Sequence, residues 1–152
     1  MPRDELLGRS LVALQFGLMA LIAGLAAPAF LQGRAPWAAW VLGGLSLALG
    51  GWAVAANRPG NFNIRPTPRA GGQLVRHGPY RWLRHPMYSA VLGCGLAGVA
   101  CGDAPLAAGL AWAALLAVLV VKLRLEERWM LAQHPSYAAY RAGTWRLLPG
   151  VY

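Results

Sequence analysis

The chain has 152 residues, 57% of them hydrophobic and 12% charged, with a formal net charge of +9 and a mean hydropathy of +0.42. That composition excludes an ordinary soluble globular domain and places the chain among integral membrane proteins, as a single membrane domain over residues 1–152. The cations lie between apolar runs and not on one soluble basic face, so no nucleic-acid partner is expected.

The opening "MPRDELLGRS" carries charges of both signs and leads into an apolar run without a clear small-residue cleavage site, which reads as an uncleaved first span. Ser10 to Leu31 and Trp37 to Ala56 are each long enough to cross a hydrocarbon core of about 30 Å at about 1.5 Å per residue. Residues 57–85 then form a loop, whose Pro, Gly, Asn and Thr rule out a regular helix or central strand over its first part. The next apolar runs, Met87 to Cys101 and Pro105 to Val121, are shorter and separated by Gly102 and Asp103, which predicts a tight helical hairpin. Each arm reaches about 25 Å, so the hairpin spans by thinning the bilayer or by extending its inner ends into the basic segments. The predicted fold is therefore all-α and polytopic: about four transmembrane helices, the last two a short hairpin, then a cytoplasmic C-terminal helix.

Lys and Arg divide 13 to 1 between the two sides of that arrangement. The positive-inside rule then puts both termini and the 57–85 loop in the cytoplasm, the membrane being the inner one in a bacterium. Trp37, Trp40, Trp52 and Trp82 fall near span ends, as interfacial anchors do. The pairs Gly43/Gly44 and Gly50/Gly51, seven apart, and Gly98/Gly102, four apart, suit close helix approach in lipid. Cys94 and Cys101 sit on one helix face, too far apart to bridge.

Chemistry concentrates in "RHGPYRWLRHPMY", where "RHGPY" from Arg76 is nearly repeated as "RHPMY" from Arg84. Proline favours the first helical turn and drives its predecessor out of the helical region, so a helix should start at Pro86 with His85 just outside. Its free N–H groups, with Arg81 and Arg84 beside them, make an anion site, for a ligand or for acidic lipid head groups. A second group, Glu126 and Glu127, follows the last apolar run among Lys122, Arg124 and Arg128. Adjacent helical residues point about 100° apart, so one carboxylate can pair with Lys122 while the other meets a cation on a bound molecule. Tyr137, Tyr140 and Arg141 share roughly one face of a short helix begun by Pro135. Gly93 and Gly95 remove side chains from the third span and leave room for a flat ligand or a neighbouring helix. Cations on one wall and carboxylates on the other suit a zwitterionic ligand, and no metal site is expected.

In this order, "GPYRWLRHPMY", a Gly-x-Gly in the following helix, Glu-Glu after the last span and a "Y..Y" segment ending in "LLPG" resemble the isoprenylcysteine carboxyl methyltransferase and phospholipid methyltransferase superfamily of integral membrane enzymes. The resemblance covers about residues 62 to 150. It implies S-adenosylmethionine as methyl donor, bound at the cytoplasmic side by Arg84, His85, Pro86, Tyr88, Gly93, Gly95, Glu126 and Glu127, with Tyr80 and Tyr137 beside them. The acceptor is then a lipophilic or membrane-embedded molecule. Arg124 or Arg141 would hold an acceptor carboxylate, and His85 or a glutamate would serve as base for an amine. The family pattern "F-G-x-x-Y" is replaced here by "HPSY" at His134 to Tyr137. Two other readings remain: a sterol-reductase-like, nicotinamide-dependent enzyme, and a small non-enzymatic membrane protein whose basic loop binds lipid or a partner.

Overall fold

The computed structural model describes residues 3–57, 73–101 and 103–152, with side chains from residue 6 onward. Most of the 57–85 loop, residues 58–72, lies outside the described residues. The described chain is helical: α1 (Arg3–Leu31), α2 (Trp37–Asn57), a 3-10 turn (Gly78–Arg81), α3 (Pro86–Ala100), α4 (Pro105–Gln133) and α5 (Tyr137–Ala142). Extended pairing among the described residues is limited to one parallel bridge, Leu83 to Trp145.

The helix ends follow local chemistry. α1 stops where Gly33 takes a left-handed φ of 66°, which lets Arg34 and Ala35 N–H groups fold back onto the Ala29 carbonyl. α3 begins at Pro86 with His85 as its N-cap, as the proline rule predicts. α4 takes the second of the two expected options: it continues past the apolar run that ends at Val121 into the basic segment and runs unbroken for 29 residues to Gln133. "KLRLEERWMLAQ" is made almost wholly of strong helix formers, and the helix stops only at His134, which Pro135 holds in the extended region. The hairpin arms are thus unequal, about 22 Å for α3 and about 44 Å for α4 at the usual rise. The first helix also starts before Ser10, at Arg3. The short C-terminal helix begins at Tyr137 and not at Pro135.

Three helices, α1, α2 and α4, are long and apolar enough to cross a membrane, and α3 is a shorter apolar helix. Large apolar side chains such as Leu14, Phe16, Leu45, Leu47 and Leu110 face outward from them, which suits lipid as the surrounding solvent. α3 is the central element, packed against α2 on one side and against α4 and α1 on the other. Ile22, Leu92, Leu115, Leu119 and Leu123 form one core cluster, and Ala26, Ala29, Ala39, Ala97 and Cys101 a second, made of small residues. The glycines serve this packing. A Cβ at Gly50 would meet Ala90 Cβ at 3.3 Å, and one at Gly98 would meet Ile22 Cγ2 at 2.7 Å. Small side chains here allow backbones to approach where lipid supplies no hydrophobic drive to associate.

Candidate functional site

The site is assembled by a backbone pairing that joins distant parts of the sequence. Trp82 to His85 run in an extended path into Pro86, and Trp145 and Arg146 lie alongside. Trp145 N–H donates to the Trp82 carbonyl at 2.9 Å, Arg84 N–H to Trp145 at 2.7 Å and His85 N–H to Arg146 at 3.1 Å. The Ser89 hydroxyl adds a bond to the Leu147 carbonyl at 2.6 Å. The segment after α5 is thereby fixed against the start of α3, and Arg146 is delivered to the inner part of α4.

Glu127 is the hub. Its side chain is 4% exposed and receives Arg84 Nε at 2.7 Å on one oxygen and Arg146 Nε at 3.2 Å on the other. Arg84 also donates through Nη1 to the Arg141 carbonyl at 2.9 Å and to the Thr144 carbonyl. One guanidinium therefore satisfies a buried carboxylate and two carbonyls around the end of α5. The planar fork of arginine suits such a task and an ammonium does not.

Glu126 has a different environment. It is 22% exposed, accepts the Tyr88 hydroxyl on one oxygen and faces His85 Nδ1 at 3.5 Å with the other. The imidazole bridges the two glutamates, with Nε2 3.5 Å from Glu127, and it stacks on the Tyr88 ring at 5.5 Å between centroids. Burial alone would lower the His85 pKa, but the Glu126 and Glu127 carboxylates outweigh it and hold the imidazole above its ordinary range. Tyr80 is pushed up to about 12 by burial, with Tyr140 and Glu126 adding to the shift, and Tyr140 to about 12, chiefly by burial. Both phenols are neutral donors at physiological pH. Tyr140 donates to the Tyr80 carbonyl at 2.6 Å, and Arg76 reaches over to the Ser136 carbonyl at 3.1 Å, so the 3-10 turn and α5 close one side of the cluster.

Of the residues singled out from sequence, Tyr80, Arg84, His85, Pro86, Tyr88, Glu126, Glu127 and Tyr137 are brought together, Pro86 and Tyr137 fully buried. Others are placed elsewhere. Arg124 and Arg141 are exposed, and among the described residues no ion pair joins their guanidinium groups to the glutamates. Arg141 reaches the cluster through its backbone carbonyl only. Tyr137, Tyr140 and Arg141 do not share one environment, since Tyr137 is buried and Arg141 exposed. The Arg81 guanidinium stands over the Trp82 ring at 5.9 Å. Of the two occupants that the small residues of α3 allow, a neighbouring helix takes the room: a Cβ at Gly93 would meet Ser46 Oγ at 2.1 Å, and one at Gly95 would meet Trp112 Cδ1 at 2.8 Å. Lys122 donates to Gln15 of α1 at 2.6 Å.

Sequence reasoning missed Arg146 and Tyr152. Arg146 lies over the Tyr152 ring at 4.8 Å. The available signal was that Arg146 is the last of the cations that follow the final apolar run, directly before "LLPG". Among the described residues, the buried side-chain nitrogen and oxygen atoms without a hydrogen bond are His85 Nε2 and Tyr152 Oη. Both border this cluster. His85 Nε2 has the Glu127 carboxylate at 3.5 Å, just beyond good hydrogen-bond geometry.

A protein-family model described as phospholipid methyltransferase matches residues 38–136. No curated protein gives a significant match. The matched stretch holds α2 to α4 with both glutamates and "RHPMY", while Gln15 and Arg146 fall outside it.

Proposed function

The chain belongs to the phospholipid methyltransferase family, and from that premise we propose that it binds S-adenosylmethionine in the Glu126/Glu127 cluster and transfers its methyl group to a lipophilic acceptor at the cytoplasmic membrane face. The observation that carries this reading is the unequal pair of carboxylates: Glu127 saturated by two arginines, Glu126 partly exposed beside a helix N-terminus. S-adenosylmethionine fits that set, because its ammonium matches Glu126 and its carboxylate matches the His85 imidazole at the positive end of α3. It supplies an electrophilic methyl group on a sulfonium, for which the Tyr80 ring offers an electron-rich face. Arg84 anchors the site, since its donors are already engaged with Glu127 and the carbonyls of Arg141 and Thr144.

Methyl transfer by in-line displacement gains most from alignment of the reacting atoms. The residues of this chain therefore bind, orient and exclude water. A prenylcysteine-like carboxylate acceptor needs no base, and Arg124 and Arg141, both exposed, are available to hold it. A phospholipid-like amine must lose a proton, for which His85 or Glu126 is placed.

The test is calorimetric titration of the purified full chain with S-adenosylhomocysteine. Binding is expected, and Glu126→Gln should weaken it by about 10–100-fold, the value of one charge-assisted hydrogen bond. Absence of binding by the wild type would overturn the reading. Radiolabelled methyl donor incubated with membrane lipids and with prenylcysteine then separates the two acceptor classes.

A further inference from the structure

Lys122 lies 17 residues into α4, about 26 Å from its start at the usual rise, and among the described residues it is the largest fully buried side chain. A lysine 1% exposed within a candidate span is costly, and an apolar side chain of similar volume would serve packing equally well or better. Its ammonium is held by Gln15 Oε1 of α1 at 2.6 Å. Gln15 is itself buried and within reach of Met19 sulfur at 3.9 Å. On its other side the ammonium stands 5.2 Å from the centre of the Tyr88 ring, within the range of a cation–π contact. The Tyr88 hydroxyl in turn donates to Glu126, and the opposite relation, Tyr88 against His85, is a parallel stack. A continuous line thus runs from α1 through Lys122 and Tyr88 to the carboxylate that borders the cluster.

We propose that Lys122 and Gln15 are positioning residues: Gln15 fixes the Lys122 ammonium, which holds the Tyr88 ring and, through its hydroxyl, sets the orientation of Glu126 for the cationic end of the methyl donor. The role of Glu126 in this statement rests on the reading given above. The arrangement makes α1, outside the matched stretch, part of donor recognition. It also gives a role to a cation buried within a candidate span.

Two measurements on the full chain in nanodiscs test this. The first is affinity for S-adenosylhomocysteine in Lys122→Met and Gln15→Leu. Both should bind about tenfold more weakly, and the double variant no more weakly than the worse single one, because both act through one contact. The second uses 3-fluorotyrosine at Tyr88 without any ligand. The wild type should give one sharp fluorine line, and each variant several lines or an exchange-broadened one. Gln15→Leu is the telling case, since the hydrogen bonds of Gln15 go to Lys122 and Met19 and not to Tyr88. A merely structural lysine predicts unchanged fluorine spectra together with affinity within twofold of wild type for Lys122→Met, and that result overturns the proposal. If the wild type fails to bind S-adenosylhomocysteine, the methyl-donor reading falls, while the fluorine spectra still decide whether Lys122 and Gln15 hold Tyr88.

Discussion

At the scale of single residues, Arg84 and His85 each hold several groups of the Glu126/Glu127 cluster at once. Arg84 is 7% exposed and serves a carboxylate and two carbonyls at once. Removing it leaves Glu127 under-compensated and two carbonyls unpaired, so Arg84→Ala should cost about 3–5 kcal/mol and Arg84→Lys about 1–3 kcal/mol, measured by SDS titration in mixed micelles. His85 supplies a pH dependence. Its pKa in the folded state lies above the unfolded value of about 6.5, so the folded protein binds the proton more tightly. Its stabilisation is complete below about pH 6.5 and is lost as pH rises through the folded value. The groups facing it are Glu126, Glu127 and the Tyr88 ring. The unfolding temperature should therefore fall on the alkaline side of neutrality, and His85→Gln should flatten that slope. An equal slope in the variant would assign the dependence elsewhere. His85 and Pro86 were legible in the sequence because proline's effect on its predecessor is local. Arg146 was not, because it reaches Glu127 only through the pairing of 82–85 with 145–146, which no short-range pattern announces.

At the scale of elements, the start of α3 and the existence of α4 could be read from the sequence, but the length of α4 only as one of two options. The apolar run ends at Val121 whereas the helix continues, since hydropathy reports what faces lipid and helix propensity reports where the backbone stays coiled. The consequence is functional: Glu126 and Glu127 sit on the same rigid rod as the membrane-crossing segment and not on a loop after it. The glycines show the same limit. Spacing identified them as packing residues or ligand space, and only the neighbours distinguish the two. Gly95 faces Trp112, whose indole N–H is tied to the Leu92 carbonyl at 2.8 Å and so has little freedom to withdraw. Gly95→Ala should therefore destabilise by about 1–3 kcal/mol through overpacking. Gly44→Ala, with nothing within 4 Å of the added methyl group, should be neutral or slightly stabilising because alanine is the better helix former. Equal effects of the two substitutions in the same micelles would show that α3 has room the structure does not contain.

At the scale of the whole molecule, the two ends of the helical assembly are closed by unlike means. At one end the α1–α2 turn meets the α3–α4 turn through Arg34 and Asp103, a two-pronged pair at 2.9 and 2.8 Å between exposed side chains. Exposed pairs of this kind contribute little, because water and salt compete for both partners. At the other end, α3, α4 and the segment after α5 are joined by buried charges and by backbone hydrogen bonds that have no solvent substitute. Donor recognition should accordingly depend on the second closure alone. Trp145→Pro removes the N–H that bonds the Trp82 carbonyl and cannot be compensated, since proline has no donor. The strand-like contact then loosens, Arg146 leaves Glu127, and affinity for S-adenosylhomocysteine should fall at least tenfold, about 1.4 kcal/mol, with far-ultraviolet helicity retained because α1, α2 and α4 do not need the bridge. Asp103→Asn should leave both affinity and unfolding temperature at wild-type values. Loss of affinity in Asp103→Asn equal to that in Trp145→Pro would mean that the far turn shapes the site through α3, and that the two ends form one cooperative unit after all.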